Sequence, residues 1–136
     1  MSKRPYFLLL TLSLALISCN TKERVARNHQ AARAWLSANP SSGNTRVAGN
    51  WKCEDPAWGS VKLKQSGSHV TGSMGMLTLD GHVQGNDLYF VISDKNFARY
   101  SAILRKKAQT LSGFYSAHLP FSTKDQKTLL LKRSVN

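Results

Sequence analysis

The stretch Leu77-Thr78-Leu79-Asp80-Gly81-His82-Val83-Gln84-Gly85-Asn86-Asp87-Leu88-Tyr89-Phe90-Val91-Ile92-Ser93 sets the period on which the rest of this chain is built. Leu77, Leu79 and Val83 alternate with Thr78, Asp80, His82 and Gln84. A period of two turns one face of an extended strand toward a core. Gly85-Asn86 supplies a tight turn, after which Leu88, Phe90 and Ile92 resume the alternation. Two such strands joined so closely form an antiparallel hairpin.

Working outward, the same reading predicts eight strands, at 47–53, 58–65, 69–74, 77–84, 87–93, 97–106, 110–116 and 128–134. Short connections rich in Gly, Ser, Asn and Asp link most of them, so consecutive strands pair and the order is a meander. One parity collects Trp51, Cys53, Val61, Leu63, Val70, Met74, Phe90, Leu104 and Leu131; the other collects Lys52, Lys62, Lys64, Arg99, Arg105 and Lys132. Such a sheet has a single buried face. Ile103, Phe114 and Leu130 break the pattern and are expected to seat an N-terminal helix. Eight strands with one apolar face hide it by closing into an up-and-down barrel, which also removes the sheet edges. The expected class is therefore all-β, an eight-stranded antiparallel meander barrel over residues 47–136.

Closure makes strands one and eight neighbours, with Gly49-Asn50-Trp51 at the start of one and Arg133 at the end of the other. A Gly-x-Trp in the first strand and a basic residue near the end of the last resemble the calycin barrels, which include lipocalins and avidins. The resemblance implies a floor in which Trp51 plugs one end and Arg133 stacks on its ring, beside Gly49. The chain departs from that group in length, since about ninety residues is short for a lipocalin. Val70-Thr71-Gly72-Ser73-Met74 is similar to a strand of avidins, but Met74 stands where their ligand-binding tyrosine would be, so biotin binding does not carry over.

Ahead of the barrel, Lys3-Arg4 precedes an apolar run from Tyr6 that closes on Leu16-Ile17-Ser18-Cys19. A basic start, an apolar middle and a small residue before the cut make a secretory signal. With cysteine next, the stretch resembles the lipobox of bacterial lipoproteins. The resemblance implies a signal peptide over 1–18, cleavage between Ser18 and Cys19, and fatty acyl groups such as palmitate on Cys19. It thereby implies a cell-envelope protein held by a lipid anchor. Asn20 rather than Asp after the cysteine favours the outer membrane, facing the periplasm. Residues 19–46 then form the acylated cysteine with a basic segment and linker. Residues 21–38 carry apolar positions at helical spacing among Lys22, Arg24, Arg27 and Arg33, and suit either a short basic helix on anionic lipid or a disordered tether. Asn39-Pro40-Ser41-Ser42-Gly43-Asn44 reads as a linker.

Composition narrows the function. The chain has 19 Lys and Arg against 7 Asp and Glu, a formal charge of +12. Losing residues 1–18 leaves 118 residues at +10, which favours anionic lipid or envelope glycan as partner. Export makes nucleic acid an unexpected one. With Cys19 acylated, Cys53 stands alone, so no disulfide forms within the chain, and its inward parity predicts a buried thiol. Most of the carboxylates fall in turns or on the outer parity, and His29, His69, His82 and His118 are scattered. No acid–base pair, metal site or cofactor site emerges, and an enzyme is not expected.

The meander also sorts the connections between two barrel ends. Trp58, Met74, Leu77, Tyr100 and Tyr115 are expected to line a pocket at the open end, beneath a lid carrying His118-Leu119-Pro120-Phe121. The first functional expectation is a binder of a small apolar or amphipathic ligand there. The second is a non-enzymatic interaction module contacting anionic envelope polymers, a lipid surface or another protein. Lys52, Lys64, Arg105, Lys106, Lys107 and Lys132 are expected around the floor and Glu54, Asp55, Asp94 and Asp125 around the open end, with Asp87 and Lys124 or Lys127 as exceptions. The tether is expected to rest the floor on the membrane.

Overall fold

The computed structural model describes residues 4–95 and 97–134, giving for 4–20 the backbone alone. The expected cleavage and acylation at Ser18 and Cys19 thus lie outside the described side chains. Helix α1 (Arg4–Ala38) is followed by strands β1 (Gly49–Cys53), β2 (Ser60–Ser66), β3 (His69–Met74), β4 (Leu77–Gln84), β5 (Asp87–Asp94), β6 (Phe97–Lys107), β7 (Thr110–Ser116) and β8 (Gln126–Arg133). Short 3-10 turns at Pro56–Trp58 and Thr123–Asp125 precede β2 and β8. Each strand pairs antiparallel with the next, and β1 pairs with β8, so the meander closes into an eight-stranded barrel. Among the described residues no helix is long and apolar enough to cross a membrane.

The alternating residues fill the interior. Val61, Met74, Ile92, Ala102, Leu104, Leu111 and Leu131 have no exposed surface and belong to one cluster with Trp51 and Phe90. Burying a large side chain of this kind contributes roughly 1.5–3 kcal/mol, so the inward face supplies most of the driving force. A tightly coiled barrel also needs room where strands approach. At Gly81 of β4 an added Cβ would fall 1.9 Å from the Tyr89 carbonyl oxygen of β5.

Most strand limits agree with the sequence reading within one or two residues, and the differences have local causes. Trp58, expected in a strand, sits in a 3-10 turn that Pro56 starts and Asp55 caps by accepting from the Ala57 amide at 3.0 Å. The β5–β6 register slips between Ile92 and Ser93, whose partners are Tyr100 and Ala98. The extra residue, Arg99, makes a bulge and turns Ala98 from the inside to the outside of the barrel.

The largest correction concerns α1, which is neither a loose tether nor wholly free to lie on lipid. Ala32 and Trp35 are buried outside the barrel against Val91 of β5 and Ala98 of β6, with Leu36, Tyr89, Ile103, Leu119 and Phe121 around them. Of the three residues expected to seat the helix, Ile103 does so. Phe114 remains 40 % exposed, and Leu130 lies outside this cluster. The segment after α1 is docked as well. His82 Nε2 donates to the Asn39 carbonyl, the Ser42 amide donates to Val83 O at 3.0 Å, and Gly85 donates to Ser42 O at 3.1 Å. The chain therefore does reach β1 at the floor, but α1 runs from there back up the side.

Candidate functional site

At the floor, Trp51 and Arg133 are directly opposite each other across the β1–β8 seam. The Arg133 guanidinium carbon lies 4.4 Å from the Trp51 ring centre, and Nη1 donates to Ala48 O at 3.0 Å. Trp51 Nε1 donates to Val47 O at 2.8 Å. Gly49 makes the stack possible: its φ is +132°, and a Cβ there would meet Arg133 Nη1 at 2.5 Å. Gln65, which the sequence reading left out, secures the incoming chain. Its Oε1 accepts from Val47 N at 2.8 Å and its Nε2 donates to Thr45 O at 2.8 Å. A glutamine on inward parity at a strand end was the available signal.

At the opposite end, the residues expected to line a pocket fill the space themselves. Trp58, Tyr100 and Tyr115 form a mutual edge-to-face trio with ring centres 5.0–5.7 Å apart. Met74 is fully buried below them and Leu77 packs against the same cluster. Phe121 does not join. It stacks on Trp35 outside the barrel, with centroids 6.3 Å apart. Two buried serines hold the loop in that direction. Ser101 Oγ donates to His118 O at 3.0 Å, while Ser116 Oγ accepts from His118 N at 3.1 Å and Ser122 N at 3.4 Å. The expected lid is thus an outer clamp on α1. At the rim lie a half-open cleft of about 260 Å³ beside Cys53, Glu54, Asp55, Trp58 and Tyr115 and a more enclosed one of about 210 Å³ beside Tyr100, Tyr115, Ala117, Asp125 and Lys127. The Cys53 thiol is buried, and that burial pushes its pKa up.

The basic residues separate into two sets. Arg105 is committed to Asp87, with Nε to Oδ1 at 2.8 Å, and this bond holds its guanidinium pKa above the usual arginine range. Lys106 and Lys107 follow it toward the β6–β7 turn at the floor end. A second set lies on the outer face of β8, β1 and β2, across the barrel from α1. Lys52 and Lys132 are direct cross-strand partners, and Lys62 and Lys64 follow on β2 opposite Asn50, Ser73 and Thr71. All four are exposed, and among the described residues none is within ion-pair distance of a carboxylate. Asp80, on β4 beyond Thr71, is taken by His69 at 2.8 Å. Lys62 and Lys64 flank a shallow groove of about 520 Å³ with Thr71, Ser73 and Thr78. Lys62 was missed as a site residue although its outer parity was legible.

Like charges directly opposite each other on a sheet are destabilising, whereas an anion between them removes the cost. Lysine ammonium groups and hydroxyls together suit a chain of anionic sugar or phosphate groups. Among the described residues no three His, Cys, Asp or Glu side chains are grouped as metal ligands. The closed meander is consistent with a calycin-like barrel. The chain matches no protein-family model, no curated protein and no solved structure.

Proposed function

We propose that this chain is an acylated bacterial envelope lipoprotein, anchored through Cys19, whose barrel is a non-enzymatic module engaging an anionic envelope polymer. The in-register Lys52–Lys132 pair, continued by Lys62 and Lys64 and without carboxylate partners among the described residues, carries this reading. The cluster of cations is a standing cost to the isolated fold that a polyanion relieves. The lipobox Leu16-Ile17-Ser18-Cys19 supports the anchor. The test is sedimentation of the full chain in detergent with an anionic polysaccharide and a neutral one. Salt-sensitive binding to the anionic polymer should be lost when Lys52, Lys62, Lys64 and Lys132 become Gln, and kept when Lys106 and Lys107 do. Equal binding to both polymers, or binding that survives the fourfold change, contradicts it.

A second reading, binding of a small apolar ligand, rests on the rim cleft beside Trp58 and Tyr115 rather than on the barrel interior. At about 260 Å³ the cleft is at the small end for such sites. Copurified ligand in native mass spectrometry would favour this reading over the first.

A further inference from the structure

Helix α1 ends at the floor and points away from it. Its C-terminal neighbour Asn39 is fixed to His82, and Ser42 to Val83, beside the β4–β5 turn at the floor end. Going backward along the helix, Trp35 meets Tyr89 and Phe121, and Ala32 and Trp35 share a cluster with Val91, Ala98 and Leu119. Leu119 and Phe121 belong to the loop at the open end, so the helix climbs the wall of β5 and β6 toward that end. Farther back, residues 21–24, 26 and 27 are exposed, as expected for turns that have left the wall behind.

Length decides where the anchor falls. From Asn39 to Cys19 is 20 residues by the sequence numbering, about 30 Å of helix at 1.5 Å per residue. The eight residues of β5, tilted as barrel strands are, rise only roughly 20 Å. Cys19 therefore lies beyond the open rim, on the side opposite the floor.

We infer that the open rim of the barrel faces the lipid surface, with α1 as a rigid strut and the floor directed away. This reverses the orientation expected from charge alone, and it rests on the reading of Cys19 as the acylated anchor. Two further observations agree with it. Met76, at the tip of the β3–β4 turn on the open rim, is 95 % exposed, the most exposed large apolar side chain described. The strut turns nearest the anchor carry Lys22, Arg24 and Arg27 against Glu23, a basic collar suited to anionic headgroups. At the rim Arg99 pairs with Asp94 and His118 with Asp125, while exposed Glu54 and Asp55 stand against exposed Lys95, Lys124 and Lys127, which leaves the rim without a strong field of one sign. The lysine face on β8, β1 and β2 then stands at the side, clear of the bilayer and open to a polymer.

The test uses the full acylated chain in vesicles of mixed neutral and anionic phospholipid carrying a lipid-borne fluorescence quencher. A dye is placed on Met76→Cys at the open rim or on Ser68→Cys at the floor-end β2–β3 turn, with the unsubstituted chain as control for the buried Cys53. The dye at position 76 should be quenched several-fold more than the dye at position 68. Equal quenching, or stronger quenching at 68, in a chain whose intact mass shows acyl groups overturns the orientation alone. An intact mass without acyl groups overturns the anchor reading and this inference with it.

Discussion

Arg133 stacks on the face of Trp51, its guanidinium carbon 4.4 Å from the ring centre, from the position directly across the β1–β8 seam. One contact thus joins the first strand to the last and stops the end of the barrel. Removing Trp51 leaves a cavity that the short strands cannot collapse to fill. Trp51→Ala should cost about 3–5 kcal/mol, a large part of a small domain's stability. Arg133→Ala should destabilise as well, and Gly49→Ala should do so by driving a Cβ into the guanidinium. Urea unfolding midpoints of the three variants check this.

The Lys52–Lys132 pair should behave in the opposite sense. Replacing either residue with Gln removes a like-charge contact and should raise the unfolding midpoint at low salt. The gain should shrink as salt screens the pair. Because the two charges act on each other, the double variant should gain less than the sum of the singles.

Trp35 ties the strut to the barrel through Tyr89 and Phe121. Trp35→Ala should release α1 while leaving the barrel folded, because the interior cluster does not include it. Limited proteolysis should then cut residues 21–46 much faster than in the parent chain, with the fragment from 47 onward still resistant. Unchanged cutting would mean that the helix docks by other contacts.

Cys53 gives the alkaline behaviour a sign. Burial raises its thiol pKa, the nearby Asp55 and Glu54 charges add to that, and a hydrogen bond from the Asp55 backbone partly opposes it. A group whose pKa is raised by folding stabilises fully below its unfolded pKa, and that stability is lost as pH rises through the folded value. As pH rises past the ordinary thiol pKa of about 8.5, wild-type stability should therefore fall more steeply than that of Cys53→Ala. Parallel pH profiles from denaturant titrations would contradict this.

The parts of the fold that were legible depend on short-range patterns. Alternation at Leu77–Gln84 and at residues 87–93, with Gly85-Asn86 between them, is enough to give the hairpin, and repetition gives the meander. The seam followed because eight strands bring Gly49-Asn50-Trp51 beside Arg133. The docking of α1 was partly written in β5, where Leu88-Tyr89-Phe90-Val91-Ile92 is apolar on both faces and so calls for cover on both. The bulge at Arg99 left no local signature, yet it is what turns Ala98 toward Trp35. The direction of the 117–125 loop also depends on contacts distant in sequence, Ser101 and Ser116 with His118, so Phe121 was placed over the mouth when it belongs on the helix.

The proposed acylation of Cys19 underlies the proposed location, the orientation inferred from α1 and the freedom of the lysine face that follows from it. Metabolic labelling of bacteria with a fatty-acid analogue tests it most directly. The account predicts label on the wild-type chain and none on Cys19→Ser, whose signal should remain uncleaved. Label that persists on Cys19→Ser, or a wild-type chain that takes up none, would contradict it.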